Sequence, residues 1–238
     1  MLFNFMRNGF SGANLLNFVI QIAIALPAII VGLSFHEAAH ALAAYRSGDP
    51  TAKYMGRLTL NPIKHIDPIG FAMLLLLGFG YAKPVPVNPR NFRNGRRDDL
   101  IVSVAGIATN LALCLISCII FVGFIVYGVQ SGHARFDAFG ALRFTSYGWV
   151  IGHSLILNFV MINMALAIFN LLPIPPLDGS HIFNELLFKG TAFSSQLSSG
   201  LGRTILLLLL LTGVVSRIIG FFTGQIESLI NWAINLLL

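Results

Sequence analysis

Charge is scarce in this chain of 238 residues, because Asp, Glu, Lys and Arg together make up only 10% of it. Soluble domains usually carry about 25% of these residues. Apolar residues account for 56% of the chain, which leaves too little polar surface for a soluble globular protein. The composition therefore predicts a polytopic membrane protein.

Cysteine is almost absent, since Cys114 and Cys118 are the only two in the chain. Two cysteines cannot build a disulfide framework. Their spacing of four residues on an apolar helix could bring two thiols to a metal, but no other ligand lies nearby in the sequence. We interpret both as small apolar residues, which is the common role of free cysteine.

Several apolar runs are long enough to cross a bilayer, which takes about 20 residues. The candidate spans are residues 15–45, 100–129, 147–172, 201–220 and 221–238. Residues 71–80 are apolar but too short to cross. We therefore expect an all-α polytopic membrane protein with five to six transmembrane helices, in which a short re-entrant or β-hairpin element follows the first helix. Residues 1–238 are expected to form one membrane-embedded domain.

The positive charge of the chain is concentrated in one segment. The formal net charge is +6, and nine of the fifteen Lys and Arg residues fall between Arg46 and Arg97, which joins two predicted spans. Cytoplasmic loops of membrane proteins carry such an excess. The distribution indicates an orientation in the cell membrane, with this segment on the cytoplasmic side, and it argues against a nucleic-acid partner.

Three ionisable residues stand inside the first predicted span, where residues 15–35 contain no charge. They are His36, Glu37 and His40. Ionisable groups inside a membrane are costly and usually functional. Positions i and i+4 lie on the same face of a helix, so both imidazoles can reach one metal ion, as in zinc metallopeptidases. The alternative is a buried histidine pair that binds no metal.

A second motif ends the span at residues 147–172. Pro173, Pro175 and Pro176 must stop the helix because proline lacks an N–H and clashes with the preceding turn. Irregular backbone at membrane depth is tolerated where it lines a cavity or is buried in protein. Asp178 follows the prolines and is a natural third ligand for a two-histidine site, because catalytic zinc has three protein ligands and one open position. Alternatively, Asp178 caps the helix that follows it.

The two motifs, HEAAH and NLLPIPPLDG, together resemble the site-2 protease family of intramembrane zinc metalloproteases. The stretches at residues 56–70 and 82–94 resemble its compact prokaryotic branch, which lacks a PDZ domain. The resemblance implies a polytopic helical fold and one Zn²⁺ per chain. It implies that His36, His40 and Asp178 are the zinc ligands, that Glu37 is the catalytic acid and base, and that Asn170 stabilises the oxyanion.

One position departs from the family pattern. The usual Gly-Pro that precedes an asparagine of the middle helix reads Gly106-Ile107 here, ahead of Asn110. The role of Asn110 is therefore left open. The role of His181, three residues after Asp178, is also left open.

The positions of the motifs predict the depth of the site. His40 lies six residues before Arg46, which is roughly 9 Å along a helix, and His36 lies roughly 15 Å from it. The active site is thus expected within the bilayer, nearer the cytoplasmic face.

Substrate binding requires an extended peptide, because a helical peptide bond is crowded and hydrogen-bonded. The proline-rich residues 83–87 suit an extended shape, and we hypothesise that they hold an unwound substrate, with help from residues 57–60. An ordinary connecting loop is the alternative. For His65 and Asp67, a turn formed by Asp67-Pro68 is preferred over a second metal site.

The function predicted is that of an intramembrane zinc endopeptidase. Its expected partners are the lipid bilayer and transmembrane protein substrates, and a homo-oligomer is left open. One alternative is a membrane zinc transporter, but the outer halves of the predicted spans offer few polar residues for a conduction path. Another alternative is a metal-binding homologue that does not cleave, but zinc binding alone would not need Glu37.

Overall fold

The computed structural model of the chain describes residues 12–77, 80–188 and 200–238. These residues are mainly helical. The helices are α1 (Gly12–Arg46), α2 (Pro68–Leu77), α3 (Gly95–Gln130), α4 (Tyr147–Leu171), α5 (Asp178–Phe183), α6 (Gly202–Leu211) and α7 (Val214–Leu237). Single helical turns occur at Thr51–Tyr54, Pro62–Lys64 and Pro89–Asn91, and a wider turn, Asn184–Phe188, follows α5.

Three helices, α1, α3 and α4, are long and apolar enough to cross a membrane. The pair α6 and α7 meets the same test only when the two are taken together, and it is bent by 68°. The described residues therefore contain three candidate spans, or four if the bent pair counts as one, and the count of five to six stays a prediction. The bend lies at Gly213, whose φ of 73° is in the left-handed region that glycine adopts easily. The apolar runs of the sequence predict this boundary at residues 220–221 instead.

The short apolar segment after α1 forms α2, which is ten residues long. Its length of about 15 Å is half of a hydrocarbon core. Asp67 caps α2, because its Oδ1 accepts the backbone N–H groups of Ile69 at 3.0 Å and Gly70 at 2.9 Å. This confirms the turn predicted at Asp67-Pro68.

Strand pairing is limited. Among the described residues between α1 and α3 it amounts to one bridge, Ile66 with Ala82. The paired strands lie instead between α3 and α4, where β1 (Ala134–Phe136) and β2 (Leu142–Phe144) are antiparallel. Among the described residues, the β-hairpin expected as one alternative after the first helix is therefore reduced to this single bridge.

The helices pack around an apolar core and turn other apolar residues outward. Buried residues of α3, α4 and α7 form the largest cluster, including Phe121, Ile125, Val160, Met164 and Ile230. Cys114 belongs to it and Cys118 packs against it, both as free thiols, which confirms their apolar role. Side chains on the opposite flank of α3, such as Ile119, are exposed, as expected for a surface that faces lipid.

Candidate zinc site

The site is built first on α1, which carries both histidines on one face. The Nε2 atoms of His36 and His40 lie 3.0 Å apart. Both side chains are buried. Because α1 is continuous through this motif, the spacing of four residues sets this geometry directly.

Asp178 comes to the same point from a distant part of the chain. Its Oδ2 lies 3.2 Å from Nε2 of His36 and 3.2 Å from Nε2 of His40. Among the described residues, these three form the one group of His, Cys, Asp or Glu able to hold a metal ion. The capping alternative is not observed, since α5 begins at Asp178 itself and its N-cap residue is Leu177.

The three atoms fit a zinc ion. Ligand atoms about 2.0–2.1 Å from a tetrahedral zinc are about 3.3 Å from one another, close to the separations of 3.0 to 3.2 Å seen here. Asp178 Oδ2 is also buried without a hydrogen-bond partner. A buried carboxylate oxygen normally has a partner, and a cation would provide one.

Both imidazoles are oriented by hydrogen bonds from their far sides. Nδ1–H of His36 donates to Asn110 Oδ1 at 2.5 Å, and Nδ1–H of His40 donates to the Val102 carbonyl at 2.8 Å. These bonds leave each Nε2 with its lone pair facing the shared point. Support of this kind fixes the tautomer and orientation of metal-binding histidines.

Asn110 is held in place by hydrogen bonds of its own. The structure therefore shows a structural role for Asn110, a role that could not be assigned from the sequence. Its amide donates to Asn163 Oδ1 at 2.9 Å and to the Gly32 carbonyl at 3.2 Å. Asn110 and Asn163 are fully buried. Sequence reasoning missed Asn163, although it lies seven residues before Asn170 on the same apolar helix and hence on nearly the same face.

Gly106 allows α3 to approach the histidines closely. A Cβ at this position would lie 2.5 Å from His40 Nε2 and 2.7 Å from His36 Nε2. Real Cβ contacts are essentially never under 3.0 Å. Any side chain here would therefore crowd the two Nε2 atoms that would hold a metal.

Glu37 is buried beside the histidines and contacts the proline-rich segment. Its Oε2 accepts the backbone N–H of Val85 at 3.1 Å. Glu37 and Val85 line a cavity of about 860 Å³ that also reaches Asp178, Asn170 and His181. The Asn170 amide donates to the Leu166 carbonyl at 2.9 Å, which fixes its orientation at the cavity wall.

The segment that follows α2 is held at several points along its length. The buried Arg57 guanidinium donates to the carbonyls of Lys83 and Pro84. The Lys83 N–H donates to the His65 carbonyl at 2.8 Å. His65 is fully buried, and its Nε2 bonds to the Thr59 carbonyl at 2.7 Å, so His65 supports the loop and belongs to no metal-binding group found among the described residues.

Asp49 anchors the far end of this segment. Its Oδ2 accepts the Asn88 N–H at 2.7 Å and its Oδ1 accepts the Asn91 amide at 2.7 Å. Burial raises the pKa of Asp49, but hydrogen bonds from Asn88, Thr51 and Asn91 outweigh burial, so its pKa lies below the usual value. Arg57 and Asp49 therefore fix residues 83–91 relative to the end of α1, along the cavity that Glu37 and Asp178 line.

Comparison with known proteins places these features in a family. The model of Peptidase family M50 matches residues 24–212. The candidate zinc metalloprotease YwhC of Bacillus subtilis is 40% identical over 191 residues, which is 80% of this chain and 81% of YwhC. The candidate zinc metalloprotease Rip2 of Mycolicibacterium smegmatis is 27% identical over 207 residues, which is 85% of this chain and 72% of Rip2. No solved structure matches the chain.

The family model covers most of the chain, and the matched residues include both motifs that converge at the site. The match to YwhC extends over most of both proteins. The names of the relatives and the donor set of two imidazoles and one carboxylate agree on zinc. The chain belongs to peptidase family M50, the site-2 protease family of zinc metalloproteases, and is a hydrolase.

Proposed function

We propose that this protein is an intramembrane endopeptidase that cleaves transmembrane protein substrates within or near their membrane segments. The convergence of His36, His40 and Asp178 beside Glu37 on a helix able to span a membrane carries the proposal. The three residues are proposed as the ligands of one zinc ion per chain. When bound, zinc supplies Lewis-acid chemistry that activates water and polarises a carbonyl group.

Glu37 is the proposed proton carrier. Its carboxylate accepts a proton from the attacking water and returns it to the leaving nitrogen of the cleaved peptide. The Val85 N–H holds Oε2 at 3.1 Å, and this bond fixes the orientation of the carboxylate while Oε1 carries the proton.

Asn170 is the proposed donor to the oxyanion that develops on the scissile carbonyl. Its amide lies on the cavity wall shared with Glu37 and Asp178. The bond to the Leu166 carbonyl uses one N–H and orients the other. A preoriented donor of this kind stabilises the transition state without having to reorganise.

The substrate is proposed to bind as an extended strand along Val85 and Val87, which line the cavity. Successive residues of a strand turn their backbone groups to opposite edges. Arg57 occupies the carbonyls of Lys83 and Pro84, and Glu37 occupies the Val85 N–H. The Val85 carbonyl and the Val87 N–H are then left at the edge nearest the site, where an unwound peptide can pair with them.

The proposed location is the cell membrane, with the site nearer the cytoplasmic face. The support is the basic segment from Arg46 to Arg97, which follows the end of α1. We further propose that residues 1–238 act as one membrane-embedded domain and that the protein has no nucleic-acid partner.

The decisive test compares Glu37→Gln with the wild type in liposomes that contain a labelled single-span substrate. We expect Glu37→Gln to keep its zinc, because the ligands are intact, and to lose cleavage, because the amide cannot carry the proton. The matched control is Glu227→Gln, the same change at an exposed position on α7, which should cleave normally. Wild-type cleavage by zinc-loaded Glu37→Gln would overturn the mechanism, and zinc flux without cleavage in the wild type would favour a transporter.

The strand proposal has its own test. Val85→Pro removes the N–H bonded to Glu37, so it disturbs the catalytic carboxylate as well as the strand. Val87→Pro removes an N–H from the proposed pairing edge only. We expect Val87→Pro to impair cleavage while zinc content is unchanged, and Val87→Ala, which keeps the N–H, to be much milder. If the wild type, Val87→Pro and Val87→Ala cleaved the substrate at equal rates, pairing of the substrate with this strand would be refuted.

A further inference from the structure

A second cavity, of about 480 Å³, lies between the C-terminal half of α1 and the N-terminal half of α3. It shares no lining residue with the active-site cavity. We call it the arginine groove, and define it by Arg46, Arg93 and Arg97 at one end and by Ala39, Ala43 and Ala105 along its floor.

The charged end of the arginine groove carries more positive than negative charge among the described residues. Arg46, Arg93 and Arg97 are exposed, and among the described residues none of them forms an ion pair with a carboxylate. Asp98 also lines the groove, but it is buried and its carboxylate accepts the Asn94 N–H at 2.8 Å. Three guanidinium groups with one buried acid leave an excess of positive charge, and arginine binds phosphate groups in a bidentate manner.

The apolar end of the groove runs along the helices toward the membrane interior. Ala39 lies seven residues before Arg46, and Ala105 lies eight residues after Arg97, which corresponds to roughly 10–12 Å along each helix. Small side chains on both helices keep this channel open. An anionic group at the arginines and a hydrocarbon chain along the alanines would therefore fit one molecule.

We propose that the arginine groove binds one anionic phospholipid, with its phosphate on the three arginines and one acyl chain along the alanine floor. Basic pockets between transmembrane helices are typical binding sites for anionic lipid headgroups. The choice of a lipid over a soluble phosphate compound rests on the alanine floor, which a soluble ligand would leave empty.

The bound lipid would stabilise the helix pair that forms the metal site. Ala39 lies between Glu37 and His40 on α1, and Ile101 of the groove precedes Val102, whose carbonyl orients His40. The same two helices, α1 and α3, carry His40 and the carbonyl that orients it. A ligand that bridges α1 and α3 at the arginine groove would therefore hold these two helices together. We expect anionic lipid to raise the melting temperature of the protein, because it binds only the folded state.

Native mass spectrometry of the purified protein in neutral detergent can test the proposal. Phosphatidylglycerol and phosphatidylcholine with identical acyl chains are titrated in parallel. We expect phosphatidylglycerol to bind roughly ten times more tightly or better, and Arg93→Gln with Arg97→Gln to remove roughly that advantage. Lys64→Gln with Arg90→Gln is the control, since it removes two exposed charges of the same basic segment outside the groove.

Three results would each contradict the proposed lipid site. Equal binding of the two lipids by the wild type would overturn the proposal, and this comparison needs no variant to fold. Equal loss in the control pair would also overturn it, because the attraction would then come from the whole basic segment. Displacement of the lipid by millimolar inorganic phosphate would show a soluble phosphate site instead. None of these readouts depends on cleavage, so they stand apart from the test of Glu37.

Discussion

Gly106→Ala is predicted to damage the metal site without damaging the helix that carries the substitution. The new Cβ would lie 2.5–2.7 Å from three atoms of the two imidazoles, while ordinary contact begins at 3.4 Å. The imidazoles or α3 would thus have to move by roughly 0.7–0.9 Å to restore ordinary packing distances. Metal–ligand distances tolerate only about 0.2 Å.

The expected consequence is a fall in zinc affinity of at least the 10- to 100-fold that follows the loss of a supporting contact around a metal site. The helix itself should gain, because alanine is better than glycine in a helix interior by roughly 0.5–1 kcal/mol. Displacing the buried imidazoles costs typically about 1–3 kcal/mol with or without metal, so the metal-free variant should melt somewhat lower than the metal-free wild type, and zinc should raise its melting temperature much less.

Gly123→Ala is the matched control. It is the same change in the same helix, at a position where an added Cβ meets nothing within 4 Å. Zinc affinity is measured by competition with a chelator of known affinity, in the same detergent for all three proteins. If Gly106→Ala bound zinc within twofold of the wild type, the assignment of the metal position in front of the two Nε2 atoms would be refuted.

Three further predictions concern other polar residues. Asn110→Leu removes the acceptor for His36 Nδ1–H and should lower zinc affinity about 10- to 100-fold; unchanged affinity in a chelator competition would contradict this role. Asn170→Ala should lower the cleavage rate about 10²- to 10³-fold with normal zinc content, and a normal single-turnover rate would remove Asn170 from catalysis. Asp49→Asn should lower the melting temperature at neutral pH, where the Asp49 carboxylate stabilises the fold. The pKa of Asp49 is lower in the folded than in the unfolded protein. The stabilisation by its carboxylate is therefore complete above the unfolded pKa of about 3.9, and it is lost as pH falls through the folded pKa. The difference from wild type should thus shrink at the acidic end of a pH series, and a constant difference would contradict the assignment.

The site could be anticipated from sequence where local rules fix the geometry. The spacing of His36 and His40 determines their common face on any continuous helix, and the prolines after Leu172 determine where α4 must end. The structure brings Asp178 to both histidines. This meeting was predictable because the span order expected from the sequence put both motifs at a similar depth on the same side of the membrane.

Other features depend on tertiary packing and could not be read from local patterns. The bond from Asn110 to Asn163 joins α3 to α4, and a buried asparagine shows no partner in sequence. The bend at Gly213 lies inside a continuous apolar run, so hydropathy gave no boundary there. The bond between Glu37 and Val85 spans 48 positions and follows from the path of residues 83–91, which Arg57 and Asp49 fix.

The most direct measurement of the site is X-ray absorption at the zinc edge of the loaded protein, compared between wild type and Asp178→Ala. The wild type is predicted to bind one zinc ion per chain, with two imidazole nitrogen atoms and oxygen ligands at about 2.0 Å and no sulfur. Asp178→Ala is predicted to lose zinc affinity or to show one carboxylate fewer. A wild-type spectrum without two imidazoles, or an Asp178→Ala spectrum and affinity identical to wild type, would contradict a zinc centre formed by α1 and the start of α5.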